Sequence, residues 1–157
     1  MRLVSRTEQS QLSATNNAKV RMKTAITIAE GHLARAESLT DQKEFDEASA
    51  ELGGYLGLIS DLRSFLSSLD SNKGSTRDLF RHMEMTVRTH LPRLAVLRRS
   101  TPISYATHIK DAEEYIKDTR AAALDSFYGG TVLREPPPNR TPTAEAPTEI
   151  RDTAKRP

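Results

Sequence analysis

Arg77, Arg81, Arg88 and Arg99 are the residues whose type and spacing best suit chemistry in this chain. On an α-helix they project within about 40° of one another. A guanidinium stays charged and presents a rigid fork of donors that matches carboxylate and phosphate oxygens. A row of four therefore reads as an anion-binding face, and a nucleic-acid backbone is the most extended anion it could meet. Against that use, Asp78 and Glu84 interrupt the row. No aromatic residues interleave for base stacking, and no helix-turn-helix spacing is evident.

The other groups that could do chemistry are scattered. His32, His82, His90 and His108 include no pair at i, i+4, and no Glu-x-x-His of the di-iron type occurs. His90 falls on an apolar stripe, which predicts a hydrogen-bonded core histidine. His108 lies near Asp111, an ordinary surface pairing, so no metal site is expected. Glu47 with Glu51, and Asp111 with Glu114, are carboxylate pairs on amphipathic helices and should face water. Nothing beside them supplies a nucleophile or a raised pKa. No phosphate loop, nucleophile elbow or His-Glu-x-x-His motif occurs. The absence of Cys excludes disulfides, thiolate metal sites and cysteine catalysis.

A last pattern is made of small residues. Gly53, Gly57, Ser60, Ser64 and Ser67 recur at steps of four and three. Glycine in a helix costs roughly 1 kcal/mol relative to Ala, so Gly53, Gly54 and Gly57 suggest close packing of another helix. That helix would be the fourth one of the same chain or belong to a second copy. Gly53-Gly54-Tyr55-Leu56-Gly57 lies inside a helical period and is not a nucleotide loop.

The elements that must position these residues are legible from apolar periodicity. Phe45, Ala48, Leu52, Tyr55, Ile59, Leu62, Leu66 and Leu69 form the longest seam. Met22, Ile26, Ala29, Leu33 and Ala36 form another. Phe80, Met83, Val87, Leu94 and Leu97 form a third, with His90 in the gap, and Ile109, Ala112, Ile116, Thr119, Ala123 and Phe127 a fourth. Helices are expected at about 17–40, 44–69, 76–99 and 102–128. Asn16 or Asn17 should cap the first. Asp41 with Glu44 resembles a capping box for the second, Ser75 with Asp78 an N-cap pair for the third, and Thr101-Pro102 a start for the fourth. Pro92 should kink or break the third helix, and Gly129-Gly130 should stop the fourth.

No segment alternates with period two. The predicted fold is all-α, an antiparallel four-helix bundle over 16–130. A polar arm at 1–15, frayed or helical, precedes it. A Pro/Thr-rich tail at 131–157, expected to be disordered, follows.

Charge alternates along the chain. Residues 44–72 sum to −5, from Arg63 against Glu44, Asp46, Glu47, Glu51, Asp61 and Asp70. Residues 73–100 sum to +5, from Lys73 and six arginines against Asp78 and Glu84. The contrast predicts that the second and third helices attract. A chain of 157 residues suggests one domain. No apolar run is long enough for a signal segment or a membrane span, which fits a cytoplasmic protein without membrane contact.

These features predict a non-catalytic scaffold, adaptor or regulator acting by protein–protein interaction, with no cofactor or metal. The partner is expected to be a protein, or a second copy through the Gly/Ser face. The alternative is nucleic-acid or anionic-ligand binding through the arginine face.

Overall fold

The computed structural model describes residues 4–132, with side chains to Gly129. Five helices and no strand are present among them: α1 Arg6–Ser13, α2 Ala18–Asp41, α3 Phe45–Ser67, α4 Gly74–Arg99 and α5 Ile103–Val132. The four predicted seams lie inward. Ala29, Leu33, Ala36, Leu58, Ile59, Leu62, Leu66, Leu94 and Ile116 are almost wholly removed from water. Each such Leu or Ile contributes about 1.5–3 kcal/mol of burial free energy.

Several local expectations need correction. The N-terminal arm is a helix of its own. Ser5 accepts from the Glu8 N–H while the Glu8 carboxylate accepts from the Ser5 N–H, a complete capping box. Leu12 then anchors α1 in the core. Asn17 caps α2, as expected. Asp41 and Glu44 form no box, because α2 ends in a Schellman-type turn with Lys43 in the left-handed region at φ 66. The Glu44 N–H there reaches the Leu39 carbonyl and the Lys43 N–H the Thr40 carbonyl. Ser75 lies inside α4, whose N-cap position is Lys73 without a side-chain cap. Thr101 donates to the Leu97 carbonyl at 2.6 Å, closing α4, and the Pro102 carbonyl accepts the first bonds of α5.

α4 is helical at every residue through Pro92, so the expected break is absent. Pro92 and Arg88 both face solvent. The backbone bond that Pro92 cannot make to the Arg88 carbonyl therefore falls on the solvent side, while His90 and Leu94 on the inner face stay anchored in the core. Gly129-Gly130 does not stop α5, which continues to Val132. The predicted tail beyond Val132 lies outside the described residues.

The long helices pair as two hairpins, α2 with α3 and α4 with α5. The hairpins meet through α2 on α4 and α3 on α5, while α2 and α5 do not come together. Around the assembly the order is thus α2, α3, α5, α4. Cross-links show direction. Glu30 meets His90 and Glu37 meets Arg93, so α2 and α4 run parallel. Asp46 meets Tyr105 and Arg63 meets Asp118, so α3 and α5 run parallel. The expected antiparallel arrangement holds within each hairpin and for the slight α3–α4 contact, but not for α2–α4 or α3–α5.

The predicted attraction of α3 for α4 is not what joins the helices. Among the described residues no ion pair connects them, and they touch only slightly. Three of the four acids of α3 are taken by its true neighbours. Glu51 pairs with Arg35 of α2, Asp61 with Arg21 of α2, and Asp46 accepts from Tyr105 of α5.

Candidate functional site

Two polar constellations and one bare helix face emerge from this arrangement. The first constellation runs from the core to the surface, where Glu30 is half exposed. His90 is 1% exposed and Tyr55 wholly buried. The Tyr55 hydroxyl lies 3.0 Å from His90 Nδ1, and His90 Nε2 lies 3.2 Å from Glu30 Oε1. A neutral ring satisfies both bonds, Nδ1 accepting from the phenol and Nε2–H donating to the carboxylate. Burial pushes the His90 imidazole below its ordinary value, against the opposing pull of Glu30. Burial also drives the Tyr55 phenol well above its ordinary value. The order Tyr–His–Glu resembles a charge-oriented nucleophile. Its phenol, however, has no solvent contact and stays protonated, so the relay joins α3, α4 and α2 and presents no reactive atom.

The second constellation surrounds His32 on α2. Its Nε2 lies 2.6 Å from Glu8 Oε1 on α1, and its Nδ1 2.5 Å from Glu51 Oε2 on α3. Arg35 Nε donates to the same Glu51 oxygen at 3.0 Å. Burial raises the Glu8 carboxyl, but the Ser5 N–H, His32 and the Ser5 hydroxyl outweigh it and hold it below its ordinary value. The ring lies directly over Gly54, where a Cβ would stand 2.7 Å from His32 Cε1. Gly54 is therefore the glycine that permits close approach. This cluster pins α1 to the α2–α3 hairpin. Both ring nitrogens are committed to carboxylates, and no group of three or more residues among those described is arranged to hold a metal.

The predicted small-residue stripe does not form one surface. Gly57 is buried within the chain, Gly53 and Ser60 are half-buried, and Ser64 and Ser67 are exposed. Gly53 lines a groove of about 310 Å³ between α3 and α5, opposite His108, Asp111 and Ala112. The Ser67 hydroxyl bonds back to the Arg63 carbonyl at 2.9 Å.

The predicted arginine row does lie on one face. Arg81, Arg88 and Arg99 are exposed and Arg77 half-exposed. No carboxylate among the described residues pairs with any of the four, although nine other ion pairs form. Arg81 stacks over the Phe127 ring at 5.8 Å. The remaining α4 cations are engaged elsewhere. Arg93 grips Glu37 through two bonds of 2.8 Å, and Arg98 meets the buried Glu113 at 2.9 Å.

No family profile, curated protein or solved structure matches this chain.

Sequence reasoning missed two features of the bare face. Met85 and Val96 stand between the arginines, 47% and 53% exposed. Their signal was readable, since 77, 81, 85, 88, 92, 96 and 99 advance by steps of four, four and three. That repeat of eleven tracks a straight helix closely. The buried apolar stripe is the more conspicuous pattern on α4 and drew the reading inward. Glu30 was also missed as the partner of His90, because the contact spans sixty positions.

Proposed function

We propose that this chain is a non-catalytic helical interaction protein and that the outer face of α4 receives its partner. The observation that carries this reading is the stripe in which Arg77, Arg81, Arg88 and Arg99 alternate with exposed Met85 and Val96. Elsewhere among the described residues every arginine but Arg6 pairs with a carboxylate. Here the fold leaves four arginines without carboxylates and two apolar side chains uncovered among the described residues.

The partner that fits is an acidic amphipathic helix. Its carboxylates would meet guanidinium forks, and its apolar residues would cover Met85 and Val96. Such an interface gains specificity and association rate from charge, and affinity from the apolar centre. The four-helix reading of residues 16–130 enters this proposal as the support on which α4 runs unbroken through Pro92.

The experiment is a comparison of co-purifying proteins for the wild type and an Arg88→Glu/Arg99→Glu double variant, with melting temperature followed alongside. Loss of an acidic partner at unchanged melting temperature is expected. Retention of that partner by the double variant sinks the proposal. The second reading, nucleic-acid binding by the same arginines, predicts DNA or RNA affinity that falls steeply with salt. No binding at low salt removes it.

A further inference from the structure

The parallel course of α2 and α4 brings both of their N-termini to one end of the assembly. A cavity of about 580 Å³ opens there, within the usual range of small-molecule sites of about 300–1,000 Å³. Met22, Leu69 and Leu79 give it an apolar floor, and Lys19, Lys23 and Lys73 stand at its walls. Asp70, Asp78 and His82 also line it, so the fixed charges are three lysines against two aspartates. Asp70 already accepts from the Asn72 N–H at 3.0 Å.

α1 and α2 are capped by Ser5 and Asn17, but α3 and α4 have no side-chain cap. The N–H groups of Thr76 and Arg77 bond to the Lys73 carbonyl, which leaves those of Gly74 and Ser75 without a partner among the described residues. Independently, Thr76 lines the cavity while only 4% exposed. Its hydroxyl makes no hydrogen bond within the described residues, although no fully sealed side-chain atom is left unbonded. That hydroxyl therefore opens onto the cavity. A threonine in a helix ordinarily bonds back to a carbonyl, as Thr40 and Thr101 do here.

We propose that this cavity binds a small amphipathic oxyanion, a phosphate or carboxylate carried on a short apolar group. The oxyanion would take the free N–H of Ser75 and the Thr76 hydroxyl, which line the cavity at the positive end of α4. The lysines neutralise its charge, and the apolar group covers Met22, Leu69 and Leu79. Arg77 is the nearest member of the outer face but does not line this cavity, so the site stands or falls separately from the proposed partner surface.

The test is a titration of the ¹⁵N-labelled full chain with hexyl phosphate, hexanoate, inorganic phosphate and hexanol, read by amide shifts. Saturable shifts at Ser75 and Thr76 are expected for hexyl phosphate or hexanoate, and whichever binds more tightly identifies the headgroup. Hexanol should leave these amides unmoved, and inorganic phosphate should bind more weakly. Thr76→Val should weaken binding about tenfold through loss of a hydrogen bond to a charged group. Lys73→Gln removes an exposed cation from the cavity wall without touching the core. That variant should bind more weakly at an unchanged melting temperature, which separates binding from folding. No saturable shift below about 10 mM overturns the proposal. So does wild-type binding by both variants, equal binding of hexanol, or inorganic phosphate binding as tightly as hexyl phosphate.

Discussion

α3 and α4 carry opposite charges of equal size over their segments, and the fold uses those charges in different ways. α3 lies between α2 and α5, and its Glu51, Asp61 and Asp46 all find partners on those neighbours. α4 spends Arg93 and Arg98 on α2 and α5 but leaves Arg77, Arg81, Arg88 and Arg99 facing water without carboxylates. The two helices meet through a neutral contact, the Tyr55 phenol on the His90 ring. A segment's net charge thus says little about which helix it will touch. Position in the assembly decides whether a charge becomes structural or stays available.

The contrast breaks most visibly in the core. Leu62→Ala removes a side chain 1% exposed on α3 and should cost about 2–5 kcal/mol. Met85→Ala on the bare face of α4 should cost no more than about 0.5 kcal/mol. Urea unfolding of both variants measures the difference. Equal losses would mean that the α4 face is covered in the folded protein.

The contact between the two helices comes next. Tyr55→Phe leaves the buried His90 Nδ1 without its donor and should cost about 1–3 kcal/mol. This site also sets a pH dependence. Burial holds the folded His90 below its ordinary value of 6.5, so the unfolded chain takes up this proton first as pH falls. The contribution is complete above about pH 6.5 and is lost as pH drops towards the folded ring's own titration. Unfolding between about pH 7.5 and pH 5.5 should show falling stability. A His90→Phe variant should flatten that slope, and an unchanged slope would assign it to other groups.

The smallest expected effects test the surface charges themselves. Asp61→Asn breaks the partly exposed Arg21 pair and should cost less than about 1 kcal/mol. Arg88→Gln has no pair to break and should leave stability within about 0.5 kcal/mol, while weakening any acidic partner. A larger loss for Arg88→Gln than for Asp61→Asn in thermal unfolding would reverse the comparison.

Local periodicity determined much of this protein. The seams through Met22–Ala36, Phe45–Leu69, Phe80–Leu97 and Ile109–Phe127 announced four long helices and most of the core. They could do so because a helix repeats every 3.6 residues, and burial acts on one face. The same logic placed His90 inside and Arg77, Arg81, Arg88 and Arg99 on one outer face. Tertiary structure decided which helices are neighbours, and with that every interhelical partner. Glu30 for His90, Gly54 beneath His32 and the joined N-termini of α2 and α4 depend on contacts between distant positions. No local pattern encodes them, because helix order around the core is settled by packing the seams together. The break expected at Pro92 failed for the same reason. A single lost backbone bond, facing water, is outweighed by anchors on the opposite side of the helix.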